Sequence, residues 1–225
     1  MSWSLSEIQS QISSELGLSS TPASEGSTEW NQRLSFINRA QVDLQEAYDW
    51  RWLLKTVNTQ TSLATGNVTV TLPLDFRKLA TSPLITWDGT TTDSFPEVDL
   101  VEVNKYVSTD RFVTVIGNPR DNYSFVVHAG DLTSGASINY RYYSSMPSLA
   151  SAINITAAPD PTYVVQKATA YLYRAAGDNR FQDAFSRADQ TLARLIEKES
   201  VRGDNFDDRV KTRLETRNNF RIGRN

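Results

Sequence analysis

The chain has 225 residues, 39% of them apolar and 10% aromatic, enough for one well-filled core or for one domain with an extension. Its 23 basic and 26 acidic residues leave a net charge of −3, which argues against bulk nucleic-acid binding as its main task but says little about a local basic patch. Without a single cysteine it forms no disulfide and does no thiolate chemistry, which is compatible with a cytosolic or virion setting. The start, Met1-Ser-Trp-Ser-Leu-Ser6, has no basic stretch leading into an apolar run, so no signal peptide is expected. No stretch approaches the roughly 18 apolar residues of a membrane span, so no membrane partner is expected. The sequons Asn67-Val-Thr69, Asn122-Tyr-Ser124 and Asn154-Ile-Thr156 carry no weight without an export signal.

A first helix is predicted over Ser4–Leu16. Ser4 and Glu7 form a capping box, Leu5, Ile8, Ile12 and Leu16 form one apolar stripe, and Gly17 is the stop. A linker follows over 17–27. A second, long helix then runs from Ser27 or Thr28 to about Trp50, burying Trp30, Leu34, Ile37, Leu44 and Tyr48. Arg33, Asn38, Arg39 and Asp43 are expected on its other side, with Arg39 and Asp43 paired one turn apart. The pattern then changes to period two. Leu53 to Gln60 alternates, Thr65-Gly66-Asn67 is a turn signal, and Val68, Val70 and Leu72 share a face, which predicts an antiparallel hairpin ended by Pro73.

Further strands are predicted at Leu84–Trp87, Arg111–Ile116, Tyr123–His128 and Ala136–Tyr143, with a possible short helix at Val98–Tyr106. From Pro159 the chain reads as helix again. Asp160 caps and Pro161 takes the first position, Gly177-Asp-Asn179 breaks the run, and Phe181, Phe185, Ala188, Leu192, Leu195 and Ile196 give a second face ending near Val201. The expected fold is therefore α+β: a helical bundle of a long N-terminal helix plus a C-terminal helical hairpin, with a small inserted antiparallel sheet and an extended C-terminal tail. The expected boundaries are 1–52 and 159–202 for the helical domain, 53–158 for the sheet insertion and 203–225 for a basic arm. Residues 209–225 hold six basic side chains against Glu215, a net of +5.

Little in the chain resembles a reaction centre. There is one histidine, no glycine-rich phosphate loop and no nucleophile motif, so no enzyme, cofactor or metal is expected. His128 lies in a strand pattern without a partner, and Asp204, Asp207 and Asp208 fit no calcium loop. Arg202-Gly203-Asp204 is an adhesion tripeptide without export context. Tyr123, Phe125, Tyr140, Tyr142 and Tyr143 form a ring-bearing set that could pack in a core or stack on sugars or bases, which leaves a carbohydrate- or surface-binding β module as an alternative. The basic tail reads either as a nonspecific nucleic-acid contact or as an arm that folds onto an acidic partner, and Phe220 and Ile222 among the arginines favour the arm.

The segment Trp30–Phe76 resembles the head-to-tail adaptor proteins of tailed bacteriophages, the connector or head-completion proteins that include the tail tubular protein A type. The likeness is carried by Asn38-Arg-Ala-Gln41 on the long helix, Tyr48-Asp-Trp-Arg-Trp52 at its end, Thr61–Leu74 with its turn, and Leu72-Pro-Leu-Asp-Phe76. The paired helices at 160–200 and the basic tail also fit. The resemblance implies a structural virion protein in the neck, made in the host cytoplasm. It implies a ring, usually of twelve copies, beneath the portal protein, joined to a tail, nozzle or tail-completion protein. Genomic DNA would pass through the lumen without sequence-specific binding. It further implies that Arg217, Phe220, Arg221 and Ile222 form a portal-binding arm.

Overall fold

Ser4 opens the first helix as predicted: its hydroxyl accepts from the Glu7 N–H at 3.3 Å while the Glu7 carboxylate accepts from the Ser4 N–H at 2.6 Å. The computed structural model describes residues 3–19, 21–62, 67–87, 91–107, 109–118, 122–128 and 135–219, the side chains of 60–62, 67, 87, 135, 136 and 202–219 excepted. The chain divides into two units, Met1–Tyr48 with Pro147–Asn225, and Asp49–Met146.

Among the described residues the first unit holds four helices, α1 (Leu5–Glu15), α2 (Thr28–Ala47), α3 (Thr162–Ala175) and α4 (Phe181–Asn219). α1 buries Leu5, Ile8 and Ile12 completely. α3 is buried on most of its circumference, and its hairpin with α4 turns at Gly177, whose φ of +68° suits a residue without Cβ. There Asp178 N–H reaches Tyr173 C=O at 2.9 Å and closes the helix end. α3 begins one residue later than predicted, with Pro161 and not Asp160 at the N-cap position, and Asp160 accepts from Thr162 N–H at 3.0 Å just ahead of it.

Among the described residues the second unit holds eight strands in two antiparallel sheets. β1 (Leu54–Ser62), β3 (Phe76–Leu79), β4 (Leu84–Trp87), β5 (Thr91–Ser94) and β8 (Gly135–Ser144) make one sheet. β8 is its spine: β1 covers one edge over the register Leu54↔Tyr143 to Ser62↔Gly135, while β4 and β3 share the other. β2 (Asn67–Thr71), β7 (Asn122–His128) and β6 (Phe112–Asn118) make the other sheet. Phe125 and Val127 of one sheet and Ile85, Ile138, Tyr140 and Tyr142 of the other enter one apolar cluster, so the two inner faces share a core. The strands predicted at Arg111–Ile116 and Tyr123–His128 form, and they pair as the hairpin β6–β7. Gly117 sits there at φ +103°, and a Cβ on it would lie 2.2 Å from the Asn122 carbonyl oxygen, so no larger residue fits.

The fold class needs correction. It is α+β, but strand-rich, with two sheets where a helical bundle carrying one small sheet was expected. Two of the strands, Phe76–Leu79 and Thr91–Ser94, are only four residues long and neither alternates, so they leave no periodic trace. The β1–β2 hairpin also fails: β1 pairs with β8 and β2 with β7, in separate sheets. Alternation assigns side chains to faces but does not choose the neighbouring strand. In place of an extended tail from 203, α4 continues to Asn219. Residues 202–219 lack an apolar stripe, yet they contain no proline, and arginine, lysine, leucine and glutamate sustain a helix past the single Gly203. The segment Val98–Tyr106 is a short 3-10 helix at Leu100–Lys105. Thr65 and Gly66 of the predicted turn lie outside the described residues.

Candidate interaction surfaces

α2 works as a spine for its own unit. Its buried positions Trp30, Arg33, Ile37, Ala40 and Leu44 follow spacings of three and four, with Gln41 buried beside them, and that row runs through Arg33, which was expected to face away. Arg33 is 2% exposed, donates to Ser13 Oγ at 2.7 Å and to Gln9 C=O at 3.4 Å, and pairs with Glu29. A cationic head thereby ties α2 to α1.

The quartet Asn38-Arg-Ala-Gln41 serves the same internal purpose. Asn38 donates to Leu149 C=O and accepts from Leu149 N–H, both at 2.9 Å, a two-point clamp on a backbone 111 residues away. Gln41 accepts from the Thr156 hydroxyl at 2.8 Å, and Ala40 is buried. The Arg39 guanidinium lies 4.5 Å over the Tyr171 ring, whose hydroxyl donates to Asp43. Arg39 and Asp43 thus meet on the same tyrosine. Burial, followed by the hydrogen bond to Asp43 and its charge, pushes the Tyr171 hydroxyl up to about 12, so it stays a donor.

In the second unit Leu72-Pro-Leu-Asp-Phe76 forms a rigid corner. Leu72 and Phe76 are buried, and the Phe76 ring lies 5.7 Å from Tyr142 and 5.3 Å from Tyr123. Asp75 accepts from Tyr142 Oη at 2.8 Å and pairs with Lys55, while Ser145 N–H donates to its carbonyl at 2.7 Å. Between these anchors Leu74 is 86% exposed. Burial alone would raise the Asp75 carboxyl, but the bonds from Lys55 and Tyr142 and the lysine charge outweigh it and hold the group below its usual range. Its folded value is depressed, so the stabilisation is complete above the ordinary carboxylate range of about 4 and lost as pH falls through the lower folded value. Asp75→Asn is expected to cost about 1 kcal/mol at pH 7. In urea melts the gap from the parent chain should narrow in acid; a gap that holds constant with pH would dismiss the carboxylate as its origin.

Three more features bear on function. Asp49 receives Lys78 at 2.6 Å and Arg77 at 3.6 Å, next to the buried Trp50. The turn after Asp99 exposes Leu100 (63%), Val101 (84%) and Val107 (64%), yet its backbone is fixed: Asp99 accepts from Val101 N–H at 3.0 Å, and the Tyr106 ring packs tilted against Phe112 at 4.8 Å. Phe112 in turn stacks on His128 at 4.1 Å, where burial lowers the imidazole pKa. His128 is a packing residue. Exposed apolar groups on a fixed backbone give little order away when a partner covers them.

Phe125, Tyr140 and Tyr142 are buried in the shared core, so the rings proposed as a sugar platform do not form one. Among the described residues no group of three or more His, Cys, Asp or Glu is placed to hold a metal ion, and no helix is long and apolar enough to cross a membrane. Of the predicted arm, Arg217 lies on α4, and Phe220, Arg221 and Ile222 lie outside the described residues.

The surfaces on offer are those of an assembly part. A model of the SU10 adaptor protein family matches residues 3–214, nearly the whole chain, and the chain belongs to that family. It is a structural adaptor of the phage virion, in contact with other components at the head-tail junction. No curated protein matches the sequence.

Proposed function

We propose that copies of this chain close into a ring beneath the portal, a dodecamer by the pattern of the connectors it resembles, and join the capsid vertex to the tail around a channel for the genome. The match to a phage adaptor family over residues 3–214 carries this reading. The exposed apolar side chains held on fixed backbone in the second unit support it, because a ring requires two different faces that meet by rotation. The cationic end, with Arg217, Phe220, Arg221 and Ile222, is the latch on the portal. It carries charge and apolar anchors together and gains its full set of contacts on docking.

Electron microscopy of the protein mixed with its portal is the direct test, and rings seated on the portal are expected. Removing residues 209–225 takes away the last part of α4 and the residues after it. That truncation should abolish portal docking while lowering the far-ultraviolet helical signal by no more than the α4 residues it removes. Undiminished docking by the truncated chain would defeat the latch.

A further inference from the structure

The five-stranded sheet runs β1, β8, β4, β5 from side to side, each strand antiparallel to its neighbour. Among the described residues nothing pairs with β1 beyond β8 or with β5 beyond β4. The Arg141 carbonyl accepts from Ala80 N–H on the β3 side, so by alternation Tyr140 and Tyr142 bond β1 through Val57 and Lys55. Thr56 and Asn58 therefore turn their N–H and C=O groups outward. On β5, Phe95 N–H donates to Pro83 C=O at 2.9 Å, so Asp93 bonds Ile85 and the backbone of Thr92 faces away.

The three-stranded sheet is finished differently. Val98 N–H donates to Val113 C=O and Val113 N–H to Pro96 C=O, both at 2.9 Å, so the chain's own backbone meets the β6 edge there. β1 has no such cover, and it runs nine residues in unbroken register with β8, without proline. A long, regular edge of this kind is a template for another strand. Lys55 is the one charged residue of β1 and Asp93 the one of β5. By register both lie on the face of the sheet that carries Ile138 and Tyr142. Lys55 already pairs with Asp75, and Asp93 lies 3.9 Å from Arg111, yet their side chains are 52% and 60% exposed, which leaves room for a second partner.

We propose that β5 of one copy adds, antiparallel, to the β1 edge of the next, so that the five-stranded sheet continues from copy to copy. The inference rests on the ring reading and names its contact. β1 and β5 run in opposite directions, so adding β5 to the next β1 preserves the alternation with every copy the same way up. The two edges are different and each copy holds one of each, so the contact is head-to-tail. Lys55 opposite Asp93 sets the register. It places Thr56 opposite Thr92, two outward-facing residues that exchange both backbone bonds, whereas a slip of one residue sets outward groups against inward ones.

The chain has no native cysteine, so introduced ones report on this contact alone. In the full chain, co-expressed with its portal, Thr56→Cys with Thr92→Cys should give a ladder of covalent multimers under a bis-maleimide too short to link them within one chain. There the two positions are three strand spacings apart, roughly 14 Å. Each single variant should give no ladder, and dimers from Thr56→Cys alone would show β1 meeting β1 and overturn the choice of β5. Thr56→Pro removes an outward N–H that β8 does not use, so the fold by circular dichroism should stand. It should weaken self-association at least tenfold by sedimentation, while Thr56→Val, which keeps the N–H, should match the parent chain. If Thr56→Pro does not fold, the cysteine pair decides alone. Rings that form without a ladder, or that form as readily with a folded Thr56→Pro chain, overturn the contact and leave the ring standing. A chain that stays single at every concentration, portal present, overturns the ring and the contact with it.

Discussion

Phe125→Ala is expected to destabilise the strand-rich unit by about 3–5 kcal/mol, one of the two largest losses among the substitutions considered. Phe125 is 0% exposed, and its ring meets Tyr140 edge to face at 4.9 Å across the two sheets. Val113, Val127 and Ile138 close the same cluster. Truncation removes the apolar burial and leaves a hole that β7 cannot close without losing its pairing to β2 and β6 on both sides. Phe125→Leu keeps most of the volume and should cost less than half as much. Urea unfolding followed by circular dichroism separates the two, through the midpoint at an unchanged slope. A loss below about 1 kcal/mol for alanine would mean that this ring does not bridge the sheets.

Arg33→Ala should cost the helical unit about 3–5 kcal/mol. The magnitude follows from where the charge sits. Glu29, its ionic partner, is 57% exposed, so the pair alone is worth little. The larger effect is that Ser13 and the Gln9 carbonyl lose their donor inside the α1–α2 contact, and the space of the arginine stem is left empty. Arg33→Met fills the stem volume and should recover a good part of the loss, whereas Glu29→Ala should cost about 1 kcal/mol or less. Equal effects for Arg33→Ala and Glu29→Ala in thermal melts would show that the ion pair, and not the buried head, joins the helices.

The family likeness seen in the sequence has a specific internal basis. Asn38 and Gln41 hold the chain at Leu149 and Thr156, Arg39 covers Tyr171, and Asp75 locks the corner below Leu74. These residues build the scaffold. The exposed apolar residues, Leu74 and Val101 among them, are single side chains whose exposure no local pattern announces. Arg33 shows the reverse case: its position in the three-four spacing put it on the buried face, and its charge argued against that reading until Ser13 and Gln9 supplied acceptors.

What the sequence determined by itself were the local choices. The Ser4–Glu7 box, the stripe of α1, the breaks at Gly17 and Gly177 and the β6–β7 hairpin all depend on residues a few positions apart, whose backbone preferences and side-chain spacing act without reference to the rest of the chain. Tertiary structure alone decided that β1 pairs with β8 about eighty residues on and β2 with β7, that Phe76–Leu79 and Thr91–Ser94 become strands, and that Arg33 is buried. Alternating strands have many partners of similar local merit. The choice among them falls to the packing of Phe125, Ile138, Tyr140 and their neighbours into one core, which exists only once distant segments have met.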